Sequence, residues 1–447
     1  MFIGGRRMKK RIVKYNDSGR EVVIDYIPRL IDSQIKNELE SFSAVLLRGP
    51  KWCGKTTTAA SLTKSWIFLS RKAMKETYDG YLARPQLFLE GAKPRLLDEW
   101  QTYPILWDLV KDEADIVNRP GLFILTGSYS PKPGTTAHTG SMRIRYLDMT
   151  TMSLYEKGLS TGSASLSKML RGEDIDGSNS LSFERITDLM VEGGFPAALD
   201  RPGKDKNAFG KAALNSICDT DIQEATGKRL RAQVTRAILR SFARTISQYP
   251  TKATIIEDVN QSEALSEPTF YEYYDGLLRL SAIQEIEAWS PAIRSRDNLR
   301  MVPKREFSDV AVAIAALGLN ADDLNKDPHT RGFFFENFVG HDLSVYAAHI
   351  GAKLGQYHDK LGLEIDFTIH FPNGDYGLIE VKQSENELPG AFKTLNAFDS
   401  LVETYNQKHS NSPMRKPAFK LVVTGDSPYA LKRENGIYVA PISLLGF

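Results

Sequence analysis

Gly49-Pro50-Lys51-Trp52-Cys53-Gly54-Lys55-Thr56 satisfies G-x-x-x-x-G-K-[ST] at every fixed position. The apolar run Ala44-Val45-Leu46-Leu47 precedes it, and the spacing predicts a helix over 56–64 after it. That strand–loop–helix context is what a phosphate-binding loop needs. Backbone N–H groups of the loop and the positive end of the following helix cradle phosphate oxygens. In such a loop Lys55 meets the β- and γ-phosphates, and the Thr56 hydroxyl, with Thr57 beside it, faces Mg²⁺. ATP and Mg²⁺ are therefore the expected ligands. The plain alternative is a Gly-rich turn before an ordinary helix.

A hydrolase also needs a carboxylate for the metal and a group that orients or deprotonates water. Asp98-Glu99 closes an apolar strand 43 residues after Lys55. Asp98 is assigned to the metal and Glu99 to the water. Thr126-Gly127-Ser128 closes the next strand, where the Thr126 and Ser128 hydroxyls are placed to sense the γ-phosphate. Such a segment also serves as an ordinary turn. Arg143 and Arg145 follow His138-Thr139-Gly140. Two readings of Arg143 stand open: a phosphate-directed arginine, acting in its own chain or from a neighbouring subunit, or a solvated strand residue.

The C-terminal part carries a second constellation: Glu336 on a predicted helix, Asp366 on a strand, and Glu380-Val381-Lys382 on the strand after an Asn373-Gly374 turn. Residues 380 and 382 of one strand face the same side, and an antiparallel neighbour brings Asp366 to that side. Glu336, Asp366 and Glu380 are the residue types for a hard divalent cation. Lys382 beside them is placed to orient water for attack on a phosphodiester. The alternative is a charged strand on a solvated face. A carboxylate within an apolar run such as Leu378-Ile379-Glu380-Val381 is costly unless it has a task. Arg236, Arg240 and Arg244 lie four apart on one helix face, near Lys228-Arg229-Leu230-Arg231. That face either tracks a nucleic-acid backbone or is solvated beside acidic neighbours.

The elements that must position these groups read as follows. Strands are predicted at 44–47, 66–69, 95–97, 122–125 and 143–149, with helices between several of them, as over 106–117. This is an α/β pattern with a parallel sheet and ligands at the carboxyl ends of its strands. A Ser/Gly-rich stretch over 160–180 marks the exit from this core. Helices follow over 183–199, 207–224, 231–247, 254–259 and 268–280, then a strand at 283–287. This order is that of a winged helix, or of a small helical domain. A helix over 332–349 and strands at 362–371, 376–382, 418–424 and 436–439 complete the chain. At 447 residues several domains are expected. Two cysteines, Cys53 and Cys218, exclude a disulfide framework. The net charge of +2 requires any nucleic-acid surface to be local. No apolar run reaches membrane-spanning length and Met1 to Arg11 has no apolar signal region, so a cytoplasmic location with no membrane partner is expected.

The ordered motifs resemble the widespread prokaryotic ATPases that join an AAA+-like P-loop core to a C-terminal domain of unknown function. They are G-P-K-W-C-G-K-T (49–56), L-L-D-E-W-Q (96–101), I-L-T-G-S (124–128), M-R-I (142–144), M-S-L-Y-E (152–156) and G-G-F-P (193–196). K-R-E-F-S-D (304–309), F-E-N-F-V (335–339), E-I-D-F (364–367) and I-E-V-K (379–382) follow. The resemblance covers about residues 25–445. It implies an ASCE-type P-loop parallel sheet, a helical and winged-helix-like middle segment, and an α/β PD-(D/E)xK nuclease-like domain. The expected divisions are 1–25, 26–160, 161–230, 231–327 and 328–447. It also implies Lys55, Thr56, Asp98 and Glu99 as nucleotide-site residues and Arg143 as a phosphate-site arginine. Glu336, Asp366, Glu380 and Lys382 are implied as the nuclease-like set. Two departures from the pattern fall near Arg143: Thr150-Thr151 before Met152 where proline is common, and Met142 where glycine is common.

Two functions follow. One is an Mg²⁺-dependent ATPase whose nucleotide state controls a DNA-binding or DNA-processing C-terminal half. The other is a nucleotide-regulated switch in which an inactive nuclease-like scaffold binds a protein partner. The oligomeric state is open.

Overall fold

The structure is a computed structural model and describes residues 11–17, 20–128, 142–199, 205–292 and 301–447, with side chains from Tyr26 onward. Most of Met1 to Arg11, and His138-Thr139-Gly140, lie outside the described residues. The chain divides into two compact units, one reaching Met152 and the other built from Ser153–Leu278 and Ala282–Phe447.

The first unit opens with the antiparallel pair β1 (Arg11–Asp17) and β2 (Arg20–Tyr26). Then come α1 (Ile31–Ser41), β3 (Ala44–Arg48), α2 (Lys55–Leu62), β4 (Ser65–Phe68), α3 (Lys75–Tyr81), β5 (Arg95–Asp98), α4 (Ile105–Val117), β6 (Phe123–Thr126) and β7 (Ile144–Asp148). Strands β3 to β7 form one parallel sheet in the order β4-β5-β6-β3-β7. Alternate residues of each strand enter opposite cores. Leu46, Leu97 and Leu125 pack with Tyr78 of α3 and Trp107 and Val110 of α4. Leu47, Leu96 and Ile124 pack with Ile35 of α1 and Ala59 and Ala60 of α2. Burial on both faces explains why the central strands β3, β5 and β6 read as near-continuous apolar runs, whereas the edge strand β7 is largely exposed. This is the parallel α/β sheet of a P-loop fold, with β6 inserted between the loop strand β3 and the acidic strand β5.

The second unit begins with β8 (Ala164–Ser165), α5 (Leu166–Leu170), α6 (Phe183–Glu192), α7 (Pro196–Leu199) and α8 (Ala208–Ser216). A π-turn at Ile217–Asp221 leads into α9 (Ile222–Thr226). Then come α10 (Ala232–Arg244), α11 (Lys252–Asn260), α12 (Glu267–Arg279) and the antiparallel hairpin β9 (Ile283–Ile286) and β10 (Lys304–Phe307). The apolar helix α13 (Val310–Leu317) is the hub on which α6, α8 and α10 pack.

After α14 (Ala321–Lys326) and α15 (Pro328–His349), six strands make a mixed sheet. They are β11 (Lys353–His358), β12 (Glu364–His370), β13 (Tyr376–Lys382), β14 (Phe419–Thr424), β15 (Leu431–Lys432) and β16 (Tyr438–Pro441), with α16 (Leu388–Lys408) between β13 and β14. The order is β11-β12-β13-β14-β16-β15. The β12–β13 pair is antiparallel, with the Asn373-Gly374 signal inside a five-residue connection and Gly374 at φ 87°. Strands β13 and β14 are parallel, and α16 is the crossover that a parallel pair requires. Its Leu395, Phe398 and Val402 cover Leu378, Val422 and Val439 of the sheet. On α15, a Cβ at Gly340 would lie 2.6 Å from the Phe367 ring, so glycine permits the close approach of that helix to β12. A short strand β17 (Leu445–Gly446) pairs in parallel with β8.

Candidate nucleotide site and acidic centre

The loop after β3 takes a shape its sequence permits only in part. Gly49 lies at φ 148°, and a Cβ there would sit 1.8 Å from the Met149 carbonyl oxygen, so no larger residue fits. Gly54 caps α2 at φ 103°. Trp52 also adopts a positive φ, 66°, and is nearly half exposed, while Cys53 is buried. Pro50, Lys51 and Thr57 are partly buried along the same loop and helix start. Lys55 Nζ donates to the Gly49 and Pro50 carbonyls, 2.8 Å each. A buried arginine braces the loop from outside the motif: Arg29 donates to the carbonyls of Cys53 (2.8 Å), Thr150 (2.9 Å) and Thr151 (3.1 Å).

Parallel strands bring the acids to the same end as the loop. The Thr56 hydroxyl donates to Asp98 Oδ1 at 2.7 Å, and the Thr126 hydroxyl donates to the same oxygen at 2.6 Å. Asp98 is 5% exposed. Burial raises its pKa above the ordinary carboxylate value, and the two hydroxyl donors work against that rise. Glu99 turns away from the strand at φ 54°, a left-handed conformation uncommon for a non-glycine residue. Its backbone N–H donates to Thr126 Oγ1 (3.3 Å), Ser128 Oγ donates to its carboxylate (3.2 Å), and the Gln101 amide donates to it as well. Gln101 sits inside the D-E-W-Q motif, so its position was visible in the sequence, but its hold on Glu99 was not.

Residues 41–157 match the family model of an AAA domain. The AAA domain thus contains β3 to β7, the phosphate loop, the Asp98-Glu99 pair and the Thr126–Ser128 hydroxyls. Its sheet and loop are those of a P-loop fold. Residues 183–323 match a domain of unknown function (DUF8612), and residues 331–445 match another (DUF4143). Uncharacterized proteins of Mycobacterium bovis and Mycobacterium tuberculosis are each 22% identical over 409 residues, 88% of this chain and 84% of theirs. A Walker-type ATPase of Pyrococcus abyssi matches 65% of this chain and 96% of its own, with 15% identity and a TM-score of 0.40. Among the described residues no helix is long and apolar enough to cross a membrane.

Arg143 is not beside the loop of its own AAA domain. It precedes β7, and its carbonyl accepts from Ala44 N at the start of β3 (3.0 Å). The phosphate loop follows the far end of β3, roughly 16 Å away at the rise of a five-residue strand. The Arg143 guanidinium pairs instead with Asp115 of α4 at 2.6 Å. An action within its own chain is therefore corrected.

The C-terminal residues meet as their strand faces require. Lys382 Nζ lies 2.9 Å from Glu380 Oε2 and 3.4 Å from Asp366 Oδ2. Val381 N–H donates to the same Asp366 oxygen at 2.7 Å. Burial, then the Asp366 charge, pushes Glu380 up to about 8. Glu336 is drawn elsewhere, to Lys304 at 2.5 Å. Lys304 is fully buried on β10, and no reading of motifs or charge assigned it a role. The expected metal set of Glu336, Asp366 and Glu380 does not assemble. Among the described residues no group of three or more His, Cys, Asp or Glu side chains is placed to hold a metal.

On the basic helix face Arg236 and Arg244 meet acids while Arg240 is exposed, and the neighbouring basic residues are partly paired as well. Arg236 pairs with Asp219 (2.7 Å), Arg231 with Glu263 (3.1 Å), Lys228 with Glu272 (2.5 Å), and Arg244 with Asp258.

Proposed function

We propose that the protein is an Mg²⁺-dependent ATP hydrolase working as a nucleotide-regulated switch, whose second unit is a scaffold for a protein partner. The observation that supports it most is the convergence of the Thr56 and Thr126 hydroxyls on one Asp98 carboxylate oxygen at the start of the helix that Lys55 begins. Oxygen donors from a hydroxyl and a carboxylate suit Mg²⁺, which keeps several waters and takes few protein ligands. Thr56 and Asp98 would hold it, and when bound it neutralises charge on the phosphates. Lys55 and the backbone N–H groups of Gly49 and of 51–57 bind the phosphates, Pro50 having no N–H to give. Glu99 orients the attacking water and takes its proton. Thr126 and Ser128 link the two acids to the γ-phosphate side. Arg143 is available to a neighbouring subunit.

A DNA-binding second unit is the other reading. The order of α10, α11 and α12 followed by the hairpin β9–β10 favours it, as a winged-helix-like arrangement. The acidic partners of Lys228, Arg231, Arg236 and Arg244 favour the protein scaffold, because they cancel the charge that would attract phosphates.

The test of the nucleotide site is Lys55→Ala. Loss of a charge-assisted contact to two phosphates should weaken ATP binding by roughly a hundredfold and abolish turnover. Equal ATP affinity for variant and parent in titration calorimetry would overturn the assignment. A gel shift with duplex DNA, with and without ATP, separates the two readings of the second unit.

A further inference from the structure

The second unit's acidic centre is where a nuclease-like fold would place a divalent cation, and its carboxylates have the chemistry for one. Each of the three carboxylates is nevertheless already engaged by a lysine through one of its oxygens. Glu336 Oε1 receives the Lys304 ammonium, and Glu380 Oε2 receives the Lys382 ammonium. Asp366 Oδ2 receives both the Val381 N–H and Lys382. Glu380 Oε1 is buried without a hydrogen-bond partner, but an ion bound there would have to share every carboxylate of the centre with an ammonium group.

Lys304 is built in rather than borrowed from the surface. Its ammonium also donates to the Asp366 carbonyl (3.2 Å) and lies 3.9 Å from Glu364 Oε1. It sits over the rings of Phe367 (5.1 Å) and Tyr249 (5.4 Å). These contacts join the hairpin strand β10 to α15 and β12. A divalent ion in the same space would face two ammonium groups at close range in a medium of low dielectric.

We propose that Lys304 and Lys382 are the resident cations of this centre, that they divide its three carboxylates between them, and that it takes no divalent ion. The centre then acts as an ionic clamp between the β9–β10 hairpin and the six-stranded sheet. The proposal is independent of the nucleotide site.

The experiment titrates full-length protein with Mn²⁺ in the absence of nucleotide, reading free Mn²⁺ by electron paramagnetic resonance. Wild type and Glu380→Gln should bind the same amount of Mn²⁺. Lys304→Met should gain a Mn²⁺ site, about tenfold or more tighter than anything in wild type, and adding Glu336→Gln should remove it. A wild-type Mn²⁺ site lost in Glu380→Gln or Asp366→Asn would overturn the proposal. So would a folded Lys304→Met that gains no site. Should Lys304→Met not fold, the wild-type comparison with Glu380→Gln and Asp366→Asn decides alone.

Discussion

Thr56 and Asp98 stand 42 positions apart in the chain, yet the threonine hydroxyl donates to the carboxylate over 2.7 Å. That bond ties the first turn of α2 to the end of β5. It exists because β5 and β3 run parallel with β6 between them, so that the loop and both acids emerge at one edge. Thr126, at the end of the intervening strand, completes the contact by donating to the same oxygen.

Glu99→Gln keeps the shape of the side chain and removes its basicity. ATP should still bind, and turnover should fall roughly a hundredfold or more if the carboxylate acts as general base. Single-turnover phosphate release beside an ATP-binding isotherm measures both. Unchanged turnover would move the role to another residue.

Arg143→Ala breaks a pair with Asp115 that is open to solvent on both sides, so its effect on folding stability should be small. ATP affinity of the isolated chain should be unchanged, because the arginine begins the strand whose other end faces the loop. A dependence of turnover on protein concentration that disappears in the variant would show action on a neighbouring subunit. A large loss of ATP affinity at low protein concentration would contradict the placement.

Glu306, fully buried on β10, sets a pH dependence. Burial raises its pKa to about 7, against the pull of Lys304 and of hydrogen bonds from Ser247 and Asn337. Unfolded, it titrates near the ordinary glutamate value of 4.5. Its contribution is therefore full below about pH 4.5 and lost as pH rises through about 7. The second unit should lose stability between about pH 5 and 8, by at most about 3 kcal/mol from this group. Glu306→Gln should flatten that decline in denaturant unfolding at several pH values. A decline of the same slope in the variant would assign it to other groups.

The phosphate loop, the acidic pair and the central strands β3, β5 and β6 were legible because their signals are local. A loop motif fixes its own glycines, and strands buried on both faces declare themselves by apolar runs. The shared face of Asp366, Glu380 and Lys382 was legible too, since alternation in a strand and one antiparallel neighbour are enough. What the sequence by itself could not decide is which charges meet across long separations. Lys304 finds Glu336 because the β9–β10 hairpin packs on α15, and Arg29 finds Cys53 and Thr150 because α1 and the end of β7 flank the loop. Helix α16 has its own local pattern, but the need for it follows only from knowing that β13 and β14 are parallel. Arg143 shows the same division: its residue type suggested a phosphate contact, and the direction of β7 placed it at the other end of the sheet. Residue types limit the available chemistry. Strand direction and packing decide which charges neutralise one another, since a buried ion is stable only with the partner that the tertiary fold supplies.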